Sequence, residues 1–358
     1  MIFTSPENGA VVTASGRIDV TGNGGKHWSQ AADANHVAAI DFVESSDGWA
    51  ITWSNYTASG VRFGPLLYTS DGGRTWSKLP VPSEGPLVTV DFTDELVGYG
   101  VTSAGVFLFT NDGGRSWSKI RTPVAISDIC FMNDLEGWVA GDSNIYHFSA
   151  GALTVLLPAS RVGLLPKAVP TPTLSCAGET VWADYVFRIG GGNASTVLVR
   201  SLDGGRSWRV VHSEFYSVPG PENELAFNAY TNAFGVTDNR HAWFLGSCFS
   251  CNNSETSMTW TSDGGAHFSH TFIVSPRGSF LIDYAVATFV DPTRGWALLT
   301  RQTKPSEKRT SVLLTTVDGG SQWHVVTTTA PVAGQVNDVG EPAIPTAGVN
   351  QNALNPTS

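Results

Sequence analysis

A seven-residue motif recurs through this chain and restricts the folds that the chain can adopt. It reads SDGGRTW at 70–76 and NDGGRSW at 111–117. Related copies read GNGGKHW, LDGGRSW, SDGGAHF and VDGGSQW, and they begin at residues 22, 202, 262 and 317. Measured at the aspartate position, the gaps between copies are 48, 41, 91, 60 and 55 residues. Because one gap is nearly double the rest, we expect a degenerate copy near residue 150, within NIYHFSAGALTVL.

A second pattern precedes each copy of the motif. A phenylalanine stands six residues before a glycine, and an aromatic residue usually follows that glycine. Examples are FVESSDGWAI from Phe42, FTDELVGYGV from Phe92, FMNDLEGWVA from Phe131 and FVDPTRGWAL from Phe289. Each unit therefore contains an apolar run, a turn, a Gly-Trp strand, a variable loop, a third strand, the DGG turn and a fourth strand.

Units of four short strands at spacings of 40 to 60 residues are typical of β-propeller blades. We predict an all-β fold, a seven-bladed β-propeller of four-stranded antiparallel blades, over residues 1–330, with a degenerate fourth blade near 130–160. Phe42, Trp49 and their counterparts are expected to pack between adjacent blades. The first unit lacks most of its inner strand, so residues 331–358 are predicted to supply a closing strand and then a linker or tail. The alternative is that an additional N-terminal segment completes this blade.

The aspartates of the motif are interpreted as structural. Glycine adopts positive φ without steric cost, and an Asp carboxylate can accept backbone N–H groups across a tight bend. A catalytic carboxylate would have to converge with others on one substrate. These aspartates are instead separated by whole blades; they are Asp71, Asp112, Asp203, Asp263 and Asp318.

Composition narrows the classes of partner. The formal net charge is −10, which disfavours nucleic acid and anionic membrane surfaces, because both require clustered Lys and Arg. No stretch approaches 18 consecutive apolar residues, so no transmembrane helix is expected.

A low lysine content with many Ser, Thr and Asn residues favours an extracytoplasmic location (secreted, periplasmic or cell-surface), with the leader removed. The alternative is a cytoplasmic protein.

The four cysteines indicate no metal centre. Cys130, within DICFM, is interpreted as a small core residue, and Cys176 stands alone in sequence. Cys248 and Cys251 form a single C-x-x-C, without the second ligand pair that a zinc site needs or the βαβ setting of a thioredoxin motif. A local disulfide between Cys248 and Cys251 is the favoured interpretation, with free thiols and then metal binding as alternatives. No cofactor is expected.

The repeated SxDGGxxW resembles the Asp-box, or bacterial neuraminidase repeat, of sialidases, sortilin-type receptors and several lectins. Its coupling to F-x5-G-W over most of the chain is more similar to the photosystem II stability/assembly factor family. That resemblance implies an exported seven-bladed propeller with a binding role, in which Asp-box turns lie at the blade periphery, away from the usual ligand site. The motif is specific for fold and weak for function.

A functional site is therefore expected on the face opposite the DGG turns, which we call the loop face. It is built by the loops between strands two and three and by the crossings from blade to blade, which vary most in length. These loops also contain Trp53. The candidate binding residues are Arg62, Arg188, Arg277, Arg301, Tyr216, Glu222, Glu224, Asp283 and Tyr284.

Three functions fit this arrangement. The favoured one is a non-catalytic binding or assembly-factor-like propeller that presents the loop face, with its arginines, to a protein or cell-envelope partner. The second is a glycoside hydrolase: VFRIGGG, with Arg188, partly matches the F/Y-R-I-P motif of sialidases but lacks the proline, and Glu222, Glu224 and Asp283 are candidate carboxylates. The third is a carbohydrate-binding lectin, which the absence of repeated loop sequences disfavours.

Overall fold

The structure is a computed structural model that describes residues 1–57, 60–162, 170–190, 193–213, 231–247, 256–273, 281–302 and 308–332. Their strands form seven antiparallel sheets, each built from consecutive strands. The only regular helix in these ranges is one 3-10 turn at Ala159–Val162. The predicted all-β, seven-bladed propeller is confirmed.

The first four blades occupy the N-terminal half of the chain. Blade 1 comprises β1 (Ile2–Phe3), β2 (Gly9–Val12), β3 (Ile18–Thr21) and β4 (Ser29–Gln30). Blade 2 comprises β5 (Val37–Phe42), β6 (Gly48–Thr57), β7 (Gly60–Phe63), β8 (Leu67–Thr69) and β9 (Ser77–Lys78). Blade 3 comprises β10 (Leu87–Phe92), β11 (Gly98–Thr102), β12 (Phe107–Thr110) and β13 (Ser118–Ile120). Blade 4 comprises β14 (Ile126–Asn133), β15 (Glu136–Gly141), β16 (Asn144–Ser149) and β17 (Ala152–Leu157).

The remaining three blades lie in the C-terminal half of the chain. Blade 5 comprises β18 (Thr173–Ala177), β19 (Thr180–Gly190), β20 (Asn193–Ser201) and β21 (Arg209–Ser213). Blade 6 comprises β22 (Thr231–Val236), β23 (Ala242–Ser247), β24 (Thr256–Thr261) and β25 (Ser269–Phe272). Blade 7 comprises β26 (Leu281–Phe289), β27 (Gly295–Gln302), β28 (Thr310–Thr316) and β29 (His324–Ala330). Blade 2 departs from the four-strand pattern because β7 pairs with the far end of β6.

The Phe-x5-Gly pattern is an antiparallel cross-strand pair. Phe42 lies directly opposite Gly48, and the same register joins Phe3 to Gly9 and Phe131 to Gly137. The phenyl ring covers the glycine so closely that a Cβ on Gly48 would lie 2.6 Å from Cδ1 of Phe42. The conserved spacing within this chain therefore follows from one aromatic ring packing over one bare backbone position.

The aromatic residue after that glycine joins one blade to the next. Trp49 of blade 2 stacks on Phe92 of blade 3 with ring centroids 3.5 Å apart. The same contact closes the ring, because Trp296 of blade 7 stacks on Phe3 of blade 1 at 4.0 Å. Trp49 and Phe3 are fully buried, which confirms that these aromatic residues form the core between blades.

Polar side chains on the innermost strands also link neighbouring blades. The buried carboxylate of Asp41 accepts the N–H of Phe92, and that of Asp91 accepts the N–H of Phe131. Asp128 accepts the N–H of Leu174 at 2.8 Å. These bonds satisfy both partners within a buried interface, where an unpaired polar group would be costly.

A disulfide joins blades 4 and 5 in addition to the bond from Leu174 to Asp128. Cys130 occupies the position before Phe131 that Asp91 holds before Phe92, and its sulfur is bonded to that of Cys176 in the next blade. Cys130 is buried, as expected of a core residue, and its bond to Cys176 is a feature that the sequence analysis did not predict. The 46-residue separation gave no local signal for this pairing. Cys248 and Cys251 lie outside the described residues.

The described residues complete blade 1 with β1, the inner strand that pairs with β2. After β29 the chain leaves blade 7, and the carbonyl of Val332 accepts the N–H of Ala14 in blade 1. Residues 333–358 lie outside the described residues. The closing strand proposed for residues 331–358 therefore stays a prediction.

Candidate functional site

Each blade has two ends that differ in construction. In blade 2, the N–H of Gly72 in the DGG turn donates to the carbonyl of Ser46 in the turn between the first two strands. The equivalent bond is present in the other six blades; its acceptors are the carbonyls of Glu7, Leu96, Leu135, Glu179, Arg240 and Thr293. The DGG turns and the strand 1–2 turns therefore share one end of the propeller, which we call the DGG face.

The aspartate of the DGG turn is saturated by its own hairpin. Oδ1 of Asp71 accepts N–H groups of Arg74 and Thr75, each at 2.9 Å, and Oδ2 accepts the Thr75 hydroxyl at 2.7 Å. The hydroxyl of Thr69 donates to the same carboxylate and accepts the N–H of Gly73. Gly72 and Gly73 both have positive φ, which explains their identity.

The electrostatics of this turn match an ionised carboxylate. The Ser207 hydroxyl and then the Ser207 backbone N–H lower the pKa of Asp203 to about 2. A group held in the ionised form by bonds that it accepts is suited to fix a turn and poorly suited to accept a proton. The tryptophan of the motif completes the unit: Nε1 of Trp76 donates to the carbonyl of Gly73 at 2.9 Å.

The degenerate fourth copy keeps the bond between turns without the aspartate. β16 and β17 are joined by Ala150 and Gly151, and the N–H of Ala150 donates to the carbonyl of Leu135 at 2.9 Å. Both turn residues have positive φ. The backbone bond between the two turns is thus common to all seven blades, and the carboxylate network is an addition to it.

The opposite end of the propeller carries hairpins of unequal length. The second strand has five residues in blade 3 but ten in blade 2, eleven in blade 5 and eight in blade 7. Since the second strand runs from the DGG face to the loop face, the additional residues project the hairpins of blades 2, 5 and 7 on the loop face. These hairpins form the walls of the candidate site.

The projecting hairpins carry three of the predicted arginines. Arg62 lies on β7 and is exposed, while Arg188 and Arg301 lie near the ends of β19 and β27. Asp283 and Tyr284 lie near the start of β26, at the same end of blade 7, and Ile282 pairs with Arg301. The backbone therefore places these five predicted residues at one face, from three blades. The other candidates, Arg277, Tyr216, Glu222 and Glu224, lie outside the described residues.

Sequence reasoning missed one residue of this face. His36 ends the crossing from blade 1 to blade 2, is exposed, and has a φ of 58°, a conformation that few non-glycine residues adopt. Its imidazole contacts the indole of Trp53 edge-on, with ring centroids 4.9 Å apart. Its backbone carbonyl accepts the backbone N–H of Trp53. The pair lies where the innermost strand of blade 2 begins, beside the hairpin that carries Arg62. A single histidine in a crossing gave no periodic signal.

The described ranges contain no cluster of three or more His, Cys, Asp or Glu residues arranged for metal binding. Within the same ranges, the one helical turn is too short to cross a bilayer.

No protein-family model matches this chain, and no curated protein matches it significantly. Solved structures do match. YCF48 from Cyanidioschyzon merolae aligns with a TM-score of 0.55 at 16% identity, over 83% of this chain and 88% of that one. YCF48 bound to D1 peptide aligns with a TM-score of 0.54 at 15% identity, over 88% and 91%. A polysaccharide lyase of family PL25, an ulvan lyase, aligns with a TM-score of 0.53 at 13% identity, over 89% and 96%. At these identities the similarity establishes the propeller fold.

Proposed function

We propose that this protein is a non-catalytic, assembly-factor-like propeller that binds an extended segment of a protein or cell-envelope partner across its loop face. The observation that carries the proposal is the placement of Arg62, Arg188 and Arg301 on three separate hairpins that project from that face. Arginine binds carboxylates through paired N–H donors, so the expected ligand segment is acidic.

Aromatic and histidine side chains extend the same surface. The exposed His36 imidazole contacts the half-buried Trp53 indole edge-on and adds an aromatic and polar contact surface beside the hairpin that carries Arg62. Aromatic residues and arginines are enriched where proteins bind partners, since they supply contact area and directional hydrogen bonds with few rotatable bonds. The combination suits an extended peptide better than a buried small molecule.

The similarity to YCF48 supports this proposal at the level of fold and mode of binding. One of the matching structures is YCF48 bound to D1 peptide, which shows that a propeller of this kind can receive a peptide. The match covers most of both chains. We expect the partner of this protein to carry an acidic segment, because the three arginines would bind its carboxylates.

An array of extended peptides, in which Asp and Glu are systematically exchanged for Asn and Gln, would test the proposal. We expect the wild type to retain acidic peptides, and Arg62→Ala/Arg188→Ala/Arg301→Ala to weaken binding by about 100-fold, or about 1 kcal/mol per lost charge-assisted bond. Arg206→Ala is the matched control, because Arg206 lies on the DGG face with its side chain 74% exposed. Retention of acidic peptides by the triple variant would contradict the proposal.

The alternative function is carbohydrate binding or cleavage, and the ulvan lyase match fits it at the level of fold. Of the candidate acid and base residues, Glu222 and Glu224 lie outside the described residues, and Asp283 lies near the start of β26 on the loop face. Incubation with anionic polysaccharides and aryl-glycosides, with Arg188→Ala as the comparison, separates the two functions. Turnover by the wild type that is lost in this variant would favour the enzyme.

We also propose that the protein acts outside the cytoplasm. The support is the buried Cys130–Cys176 disulfide, since such bonds form and persist in oxidising compartments. Cell fractionation with thiol alkylation before lysis would test this. We expect both cysteines to resist alkylation until reduced; alkylated cysteines in a cytoplasmic fraction would contradict the proposal.

A further inference from the structure

Two leucines stand out on the DGG face, at the position whose carbonyl receives the bond between turns. In five blades this position is polar; its occupants are Glu7, Ser46, Glu179, Arg240 and Thr293. In blades 3 and 4 it is Leu96 and Leu135, which are 48% and 62% exposed. Because the structural role belongs to the backbone carbonyl, the side chain is free to differ, and two adjacent blades expose apolar groups.

The two leucine turns are fixed to one another. The hydroxyl of Thr93 donates to Oδ1 of Asp134 at 2.6 Å, and the hydroxyl of Tyr99 donates to the carbonyl of Asp134, also at 2.6 Å. Both bonds connect blade 3 to the turn that carries Leu135. The leucines therefore occupy neighbouring turns whose relative position is set by two short hydrogen bonds.

The backbone of each leucine is also held by side-chain hydrogen bonds within its own turn. Oδ1 of Asp94 accepts the N–H groups of Leu96 and Val97 at 2.7 and 2.6 Å. Oδ1 of Asn133 accepts the N–H groups of Leu135 and Glu136 at 3.0 and 3.1 Å. With N–H and C=O of both leucines bonded within the fold, their backbones are held in one conformation, which lowers the backbone entropy cost of binding.

Acidic side chains surround this pair. Asp94 and Glu95 flank Leu96, and Asp134 and Glu136 flank Leu135. The degenerate turn of blade 4 reads SAGA and lacks the Arg or Lys that follows the two glycines in blades 1, 2, 3 and 5. Two basic residues lie nearby: Arg115 in the DGG turn of blade 3, and His147, whose Nε2 is 4.0 Å from the Glu136 carboxylate. Four carboxylates around two exposed leucines favour a partner that carries Lys or Arg beside apolar side chains. They disfavour pairing of this surface with itself or with an anionic membrane.

We propose that the Leu96–Leu135 surface on the DGG face is a second docking site, which binds a basic, amphipathic segment of a protein partner. The site is formed by the strand 1–2 turns of blades 3 and 4, and it lies on the opposite face from the arginine hairpins. It is independent of the proposed function of the loop face, and both sites can be occupied at once.

The test uses a synthetic amphipathic peptide of Leu and Lys and its counterpart with Glu in place of Lys, measured by biolayer interferometry at moderate salt. We expect the Lys peptide to bind the wild type, and Leu96→Ser/Leu135→Ser to weaken it by at least about tenfold, since two apolar contacts are lost. Val317→Ser is the matched control, because Val317 is 65% exposed on the DGG face of blade 7. Glu95→Lys should also weaken binding, while the loop-face triple arginine variant should not.

Hydrogen exchange locates the contact: protection should fall on residues 93–97 and 133–136. Equal binding of the Lys peptide by the wild type and the leucine double variant would attribute binding to net charge and overturn the proposal. Equal binding of the Glu peptide would overturn it as well. A dimer in sedimentation that the double variant abolishes would assign the surface to a second copy of the chain, which also overturns the basic partner.

Discussion

Asp128 should make the stability of this protein fall as the pH rises towards neutrality. Its carboxyl group is buried between blades 4 and 5, and burial raises its pKa from 3.8 to about 7, although the N–H groups of Leu174 and Ile129 favour the ionised form. Between these two pKa values the folded protein holds a proton that the unfolded chain has released. Stability contributed by this proton is therefore complete at acidic pH and is lost as the pH rises through about 7.

The change Asp128→Asn removes this dependence. The asparagine stays neutral at every pH, and its carbonyl oxygen can still accept the N–H of Leu174. A pKa difference between 3.8 and about 7 corresponds to about 4 kcal/mol, at about 1.36 kcal/mol for each pH unit. This is an upper limit, because water entering the interface would reduce it. The variant should gain stability relative to the wild type by up to about 4 kcal/mol between pH 4 and pH 8.

This difference is measured by urea unfolding of both proteins, with the disulfide intact, at intervals from pH 4 to pH 8. Groups that titrate in the same way in both proteins do not affect the difference in their free energies of unfolding. Asp142→Asn is the matched control, since it makes the same chemical change at an exposed turn residue. A difference for Asp128→Asn that stays constant with pH would refute the reasoning. So would a wild type that becomes more stable as the pH rises, relative to the variant.

Three further predictions concern the repeated contacts. Gly48→Ala should lower stability by about 2 kcal/mol, because its Cβ would lie 2.6 Å from Phe42. Gly22→Ala is the control for thermal melting, because its Cβ would make only an ordinary contact, 3.8 Å from Oδ1 of Asn8; equal melting temperatures of the two variants would contradict the packing argument. Cys130→Ala/Cys176→Ala should cost about 4 kcal/mol in urea unfolding, from the entropy of a 46-residue loop, and an unchanged midpoint would show that the bond is absent in solution. Asp112→Ala should speed hydrogen exchange in one hairpin and leave peptide binding intact; lost binding with an intact fold would assign the motif a functional role.

Repetition explains why the architecture was readable from sequence. The six-residue spacing of Phe42 and Gly48 indicates an antiparallel strand pair, because a tight turn brings residues at this spacing opposite each other. The DGG motif indicates the next turn, because glycine adopts positive φ most readily. Each of these patterns lies within a few residues, and its recurrence along the chain strengthens the prediction of a repeated blade. The same reasoning predicts a candidate site on the loop face with Arg62, Arg188 and Arg301, because loops that differ in length break the repeat; this site stays a prediction.

Contacts between blades were not readable in this way. Cys130 and Cys176 are 46 residues apart, and nothing adjacent to either in sequence indicates that successive inner strands bring them together. The buried carboxylate bonds of Asp41, Asp91 and Asp128 were missed for the same reason, since an aspartate in an apolar run has no local partner. His36 was missed because its meaning depends on Trp53, on another strand.

The sequence alone determined the blade count, the strand order within each blade and the end at which the DGG turns lie, because those follow from periodic, short-range preferences of glycine, aspartate and aromatic residues. Only the tertiary structure decided which side chains meet across blades, how Trp296 and Phe3 close the ring, and that Leu96 and Leu135 are exposed on neighbouring turns. Those facts depend on distances between residues far apart in the chain, which are set when the blades pack and buried groups must find partners.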